Sequence, residues 1–153
     1  LALTDVWANK IIDYLGSGIN CGRGGGNINH ALRCVQDIAP AMKPDYIIVT
    51  IGTNGTATQT QFATLLNNII KIGAVPIINH IPMNQRGNVT TSNTMVENLG
   101  VDSSRFDKAT AINNDPDDGQ NTSLFFEDEL HPNALGGIAL YNRFIADLGY
   151  IKE

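Results

Sequence analysis

The run Asp45-Tyr-Ile-Ile-Val-Thr-Ile51 constrains this chain more than any other stretch. It is almost wholly apolar and β-branched and does not alternate with polar residues, so it reads as a strand buried on both faces. Gly52 ends it. A strand of that kind needs a layer of helices on each side. A second run, Ala-Val-Pro-Ile-Ile-Asn-His-Ile over residues 74–81, has the same character, with Pro76 near its start. Between them, residues 59–72 place Phe62, Leu65, Leu66, Ile69 and Ile70 on one helical side. Leu3, Trp7, Ile11 and Leu15 recur every four residues and predict an opening helix that stops at Gly16. A short strand is expected over 18–21. A helix follows over 27–38, with Asn27 as N-cap and Pro40 closing it. Residues 92–99 predict another helix, with Ser92 as its N-cap, and 104–112 a short strand and a helical turn. Residues 133–148 form the closing helix, with Leu135, Ile138, Leu140, Tyr141, Phe144, Ile145 and Leu148 available for burial. Helices alternating with apolar strands give an α/β fold with a parallel sheet. Ligands of such sheets bind at the carboxyl ends of the strands, which is where Gly22, Asn54 and the loop after His80 fall.

The 153 residues suit a single domain, 1–153, large enough to bury a core. A hydrophobic fraction of 42% beside 16% charged residues is globular composition. The net charge of −5, with no basic patch to offset it, argues against nucleic acid as a partner and is compatible with a neutral sugar. No run of 18 apolar residues exists, so no membrane span is expected. Leu1-Ala2-Leu3-Thr4 lacks the basic start and apolar core of a signal peptide. There is no initiator Met, and processing, nicking or truncation upstream of Leu1 is the expectation. Cys21 and Cys34 make no disulfide framework and read as two buried free thiols, which leaves the redox compartment open.

Three short segments could carry chemistry. In Asp128-Glu129-Leu130-His131-Pro132-Asn133 the Asp carboxylate can accept from the imidazole Nδ1–H and leave Nε2 as the base. Alone, the same letters describe a helix-entry His with an acid nearby. In Gly52-Thr53-Asn54 the glycine lets the chain turn sharply off the strand, and the Asn offers a side-chain N–H donor; alone it is a strand-end turn. Gly22-Arg23-Gly24-Gly25-Gly26 exposes backbone N–H groups suited to an oxyanion or a phosphate. A dinucleotide fingerprint would need Gly where Asn27 stands, and the Lys-Ser/Thr of a phosphate-binding P-loop is missing. His30 and His80 read as structural. Residues 114–119 carry three acids but lack the spacing of a calcium loop, so a solvated turn is expected.

The order of these pieces resembles the SGNH hydrolases, or GDSL-type esterases: Asn20-Cys21-Gly22-Arg23-Gly24-Gly25, then residues 45–54 ending in Asn54, then Asp128 and His131-Pro132-Asn133. The resemblance runs over nearly the whole chain. It implies a flavodoxin-like three-layer α/β/α sandwich and the hydrolysis of esters, such as acetyl groups on carbohydrates, without a metal or other cofactor. It implies that Gly22 donates its backbone N–H, and Asn54 its side chain, to an oxyanion hole. Asp128 and His131 become the last two members of a catalytic triad. Gly55 stands where the family often has Asp.

The family's first block, Gly-Asp-Ser, has no counterpart in this chain. Ser17 lies at the amino end of the sheet, and Ser92, Ser103, Ser104 and Ser123 lie in no strand-to-helix elbow. In the flavodoxin-like order 2-1-3-4-5 the first strand is central. The expectation is therefore that this strand and its serine belong to an upstream peptide or a second chain. Two other readings stay open: a catalytically dead relative that binds a glycan or a protein, and a phosphate- or nucleotide-binding module using the glycine loop.

Overall fold

The computed structural model describes residues 6–153. Leu3 of the opening stripe lies outside the described residues. Helix α1, Val6–Leu15, ends at Gly16, whose φ of 99° reverses the chain. Strand β1, Tyr46–Val49, pairs in parallel with β2, Val75–Ile78, in the register Tyr46 to Val75 and Val49 to Ile78. Residues 102–104 run alongside β2: Ile77 bridges Asp102, and the Ile78 and His80 N–H groups donate to the Asp102 and Ser104 carbonyls.

Strand alternation sends side chains to two separate cores. Ile47, Val49 and Ile78 meet one made by α2 (Ile28–Arg33), α4 (Gln59–Lys71) and α5 (Val89–Asn98), with Phe62, Leu65, Ile69 and Val96 at its centre. Tyr46, Ile48 and Ile77 meet the other, made by α1, α6 (Phe106–Ala109) and α7 (Ala134–Leu148), around Phe106, Leu140 and Phe144. Helices thus cover both faces of a parallel sheet, the three-layer α/β/α arrangement. Among the described residues no helix is long and apolar enough to cross a membrane.

Several local expectations change. Residues 18–21 form no strand ladder. With β1 they line one cavity of about 1040 Å³, and among the described residues they pair with no strand. β1 is accordingly less enclosed than its composition suggests, with Val49 its one buried residue. The helix capped by Asn27 does not end at Pro40: a π turn, Cys34–Ile38, leads into α3, Ala39–Met42, and Lys43 stops it at φ 48°. The wider turn moves the preceding carbonyl clear of the proline ring, which would clash in a regular helix. Ser92 is not an N-cap but a fully buried residue inside α5, which begins three residues earlier. Leu135 and Ile138 are exposed. At 100° per residue they lie opposite the buried stripe of Gly136, Leu140, Phe144 and Leu148. Residues 114–119, in contrast, form the exposed turn expected of them, with Asp115 accepting from the Asp117 N–H and Asp118 from Asn113.

The cysteines overturn the free-thiol expectation. Cys21 and Cys34 are joined in a disulfide, with their Cα atoms 6.5 Å apart, and both are half-buried. The glycine loop and the turn at Asn27 fold residue 21 back against the helix that carries residue 34. Spacing in the sequence gives no sign of that approach.

Candidate active site

Three loops at the carboxyl end of the sheet meet on the same cavity, whose wall includes Gly22, Asn54 and His131. The first leaves β1 through Gly52. That glycine is buried with φ 140°, and a Cβ there would lie 2.9 Å from the Ser92 hydroxyl, so both conformation and space demand glycine. Asn88 donates its amide to the Gly52 and Thr53 carbonyls and fixes the turn. Asn54 then projects with both ends of its carboxamide engaged. Its Nδ2 donates to the Gly26 carbonyl at 3.2 Å, and its Oδ1 accepts from Arg86 Nη1 at 2.8 Å. The same Arg86 nitrogen reaches the Thr53 carbonyl at 3.0 Å.

The second loop is the glycine run. The Gly22 N–H is held by Asn20 Oδ1 at 2.9 Å, an oxygen standing where an oxyanion could sit. Behind it, His30 Nε2 lies 2.7 Å from the Cys21 carbonyl. A carbonyl only accepts, so Nε2 carries the proton. Cys21, His30 and Cys34 bring potential ligand atoms within 4.8 Å of one another. The disulfide removes the thiolates a metal would need.

The third loop holds Asp128 and His131. Asp128 Oδ1 accepts from the backbone N–H groups of Leu130 and His131, both at 3.0 Å, while Oδ2 lies 2.5 Å from His131 Nδ1. Glu129 adopts a left-handed φ of 53° to close this turn. Its carbonyl is tied by Gln120 Nε2 at 2.7 Å, and Gln120 is gripped by Gln85. Because the carboxylate only accepts, the proton sits on Nδ1, and Nε2 is the basic nitrogen. Asn133 caps α7 through the Gly136 N–H and donates to the Ser123 and Phe125 carbonyls, so the segment after His131 is fixed to the helix start. The pair itself is about half exposed.

The His131 ring, followed by the two backbone N–H groups, holds the Asp128 carboxyl well below the usual range, at about 2. A depressed value means that the pairing supports the fold above the ordinary carboxylate pKa and is lost as pH falls toward about 2. A carbon-detected NMR titration should place the Asp128 midpoint near that value. In His131→Ala it should rise part of the way to the ordinary value of about 3.9. An unmoved midpoint would contradict the ring's leading part.

The histidine read as structural and the serines rejected as nucleophiles are held as follows. His80 is buried, with Nδ1 on the Ser103 hydroxyl at 2.9 Å and Nε2 on Glu97 at 3.2 Å, and it does not line the cavity. Ser92 and Ser104 are fully buried, and the Ser123 hydroxyl is taken by Asn121. Ser17 lines the cavity and is exposed. Among the described residues no serine hydroxyl hydrogen-bonds His131. Arg86 and the contact of His30 with Cys21 were not foreseen. Arg86 sits 32 positions from Asn54 in a stretch that reads as a polar surface loop, and nothing local marks it.

No family model and no curated protein matches the sequence. Solved structures do match. A GDSL-like lipase from Bacteroides thetaiotaomicron aligns with a TM-score of 0.71 at 12% identity, over 97% of this chain and 84% of that one. An acetyl xylan esterase variant from Geobacillus stearothermophilus gives 0.71 at 15%, over 98% and 82%. A protein from Bacteroides fragilis carrying an acylhydrolase name gives 0.73 at 12%, over 99% and 84%. At such identities the likeness speaks for architecture. With the parallel sheet and its two helical layers, it identifies the fold of this chain as SGNH hydrolase-like.

Proposed function

We propose that this chain forms most of a serine ester hydrolase, one that removes acetyl or other short acyl groups from a carbohydrate or similar alcohol. The observation that carries the reading is the Asp128–His131 pair, poised with a basic Nε2 on the cavity that Gly22 and Asn54 also line. The structural neighbours named for lipase, acylhydrolase and acetyl xylan esterase activity support the same class.

The edge of β1 indicates how the nucleophile would arrive. The parallel register engages the Asp45 and Val49 carbonyls with β2, so alternation turns the N–H and C=O groups of Tyr46 and Ile48 toward the cavity. An extended segment, from upstream sequence or a second chain, would pair there and end beside His131 with a serine. Its Oγ attacks the ester carbonyl as His131 Nε2 takes the proton. The oxyanion displaces Asn20 from the Gly22 N–H and accepts from Asn54 Nδ2. Collapse breaks the bond to the alcohol oxygen, which leaves with the proton from His131. A water molecule, deprotonated by His131, then cleaves the acyl-serine, releasing the acid and restoring the serine.

A fluorophosphonate probe on the native protein tests this. Labelling of a serine on the segment paired with β1, together with turnover of a small aryl acetate, is expected. No labelling and no turnover would favour the second reading, a glycan- or protein-binding relative, which draws on the lack of a serine bonded to His131 among the described residues.

A further inference from the structure

Each proposed oxyanion donor belongs to an amide whose oxygen end is already gripped. The Gly22 N–H and the Cys21 carbonyl are two ends of one peptide unit. A trans peptide is planar and points these ends in opposite directions. The His30 Nε2–H bond to the Cys21 carbonyl, at 2.7 Å, therefore sets where the Gly22 N–H aims. In the Asn54 carboxamide, Arg86 holds Oδ1 at 2.8 Å, which fixes the flip of the amide and leaves Nδ2 as the end that faces Gly26. The two grips are joined. A Cβ on Gly26 would lie 3.3 Å from the His30 ring, so the backbone whose carbonyl receives Asn54 rests on His30. A hydrogen bond received at the oxygen of an amide also polarises it and strengthens its N–H as a donor, the more so when the partner is a guanidinium.

We propose that His30 and Arg86 are positioning residues that orient and polarise the two donors of the oxyanion hole without touching substrate. The proposal rests on the esterase reading, in which Gly22 and Asn54 are those donors.

The test uses protein carrying the serine-bearing strand, with His30→Ala, His30→Gln, Arg86→Ala and Arg86→Lys. Glutamine can place an N–H near the position of Nε2, and lysine can keep a cationic donor at Asn54. The alanine variants are expected to lose about 10- to 100-fold in kcat with KM within about twofold. That is part of the roughly 10²–10³ that loss of an entire oxyanion donor costs. His30→Gln should recover most of its loss, and Arg86→Lys part. The second readout is independent of turnover. In ¹H–¹⁵N spectra the Gly22 amide should move in His30→Ala and return in His30→Gln, and the Asn54 side-chain amide should move in Arg86→Ala. Equal losses in His30→Ala and His30→Gln, a loss confined to KM, or unmoved resonances would overturn the proposal. If the unmutated protein does not turn over ester, the esterase reading fails, and the resonances alone decide whether His30 and Arg86 orient these amides.

Discussion

His131→Ala is expected to lower kcat for a small aryl acetate by about 10⁴-fold in protein that carries the serine-bearing strand, since the base that activates the nucleophile is also the acid that releases the alcohol. What remains would be the modest acceleration from the oxyanion donors and from binding. Asp128→Asn should fall nearly as far, and the local geometry says why. Two backbone N–H groups, of Leu130 and His131, require an oxygen at Oδ1. The asparagine must therefore turn its NH₂ toward His131 Nδ1, where the carboxylate presented Oδ2. A donor at that place forces the proton of the ring onto Nε2 and removes the base, although the turn itself survives. Steady-state kinetics of the two variants, with circular dichroism to show an intact fold, checks both. Activity within tenfold of the parent in His131→Ala would remove His131 from the mechanism.

Gly136→Ala should produce the largest loss of stability from a single methyl group. Gly136 lies in the first turn of α7, and a Cβ there would sit 2.1 Å from the Leu124 carbonyl oxygen and 2.9 Å from Pro132 Cβ. The first of these partners is backbone, so relief requires the helix start to move away from residues 122–125. That movement strains the bond from the Asn133 N–H to the same Leu124 carbonyl, at 3.0 Å, and the two bonds from Asn133 Nδ2 that fix the segment after His131. Alanine is the better helix former by about 1 kcal/mol. Overpacking at this severity costs more, about 3 kcal/mol, at the upper end of its usual range. A net destabilisation of about 2 kcal/mol in urea unfolding is expected. A gain of about 1 kcal/mol, the helix propensity alone, would show that the close packing is unimportant.

Much of this was readable from local pattern. The β-branched run at 45–51 holds strand β1, the stripe Phe62, Leu65 and Ile69 is the buried face of α4, and the closing helix lies within 133–148, with Asn133 its cap rather than its first residue. The pairing of Asp128 with His131 follows from three-residue spacing in a tight turn. What escaped depends on approach between distant segments or on which face wins. Leu135 and Ile138 are as apolar as Leu140, but one helix can bury only one stripe against the sheet, and small Gly136 and Gly137 permit the closer contact. Asn88 rather than Ser92 precedes α5 because the chain must first tie Asn88 to the turn at Gly52. Cys21 with Cys34, His30 with Cys21 and Arg86 with Asn54 are products of folding and have no local signature.

The disulfide gives the two halves of the site unequal covalent support. Four glycines in the five residues 22–26 leave N–H groups uncovered, but such a segment has more conformations to lose than any other of its length. The bond from Cys21 to Cys34 closes a ring around the whole segment and restricts it without covering a donor. The Asp128–His131 turn, in contrast, is maintained by hydrogen bonds alone. A thiol reductant therefore acts on one half and leaves the other as it was, and acid acts in the opposite sense. The same site would meet a reducing and an acidic environment with different parts of itself.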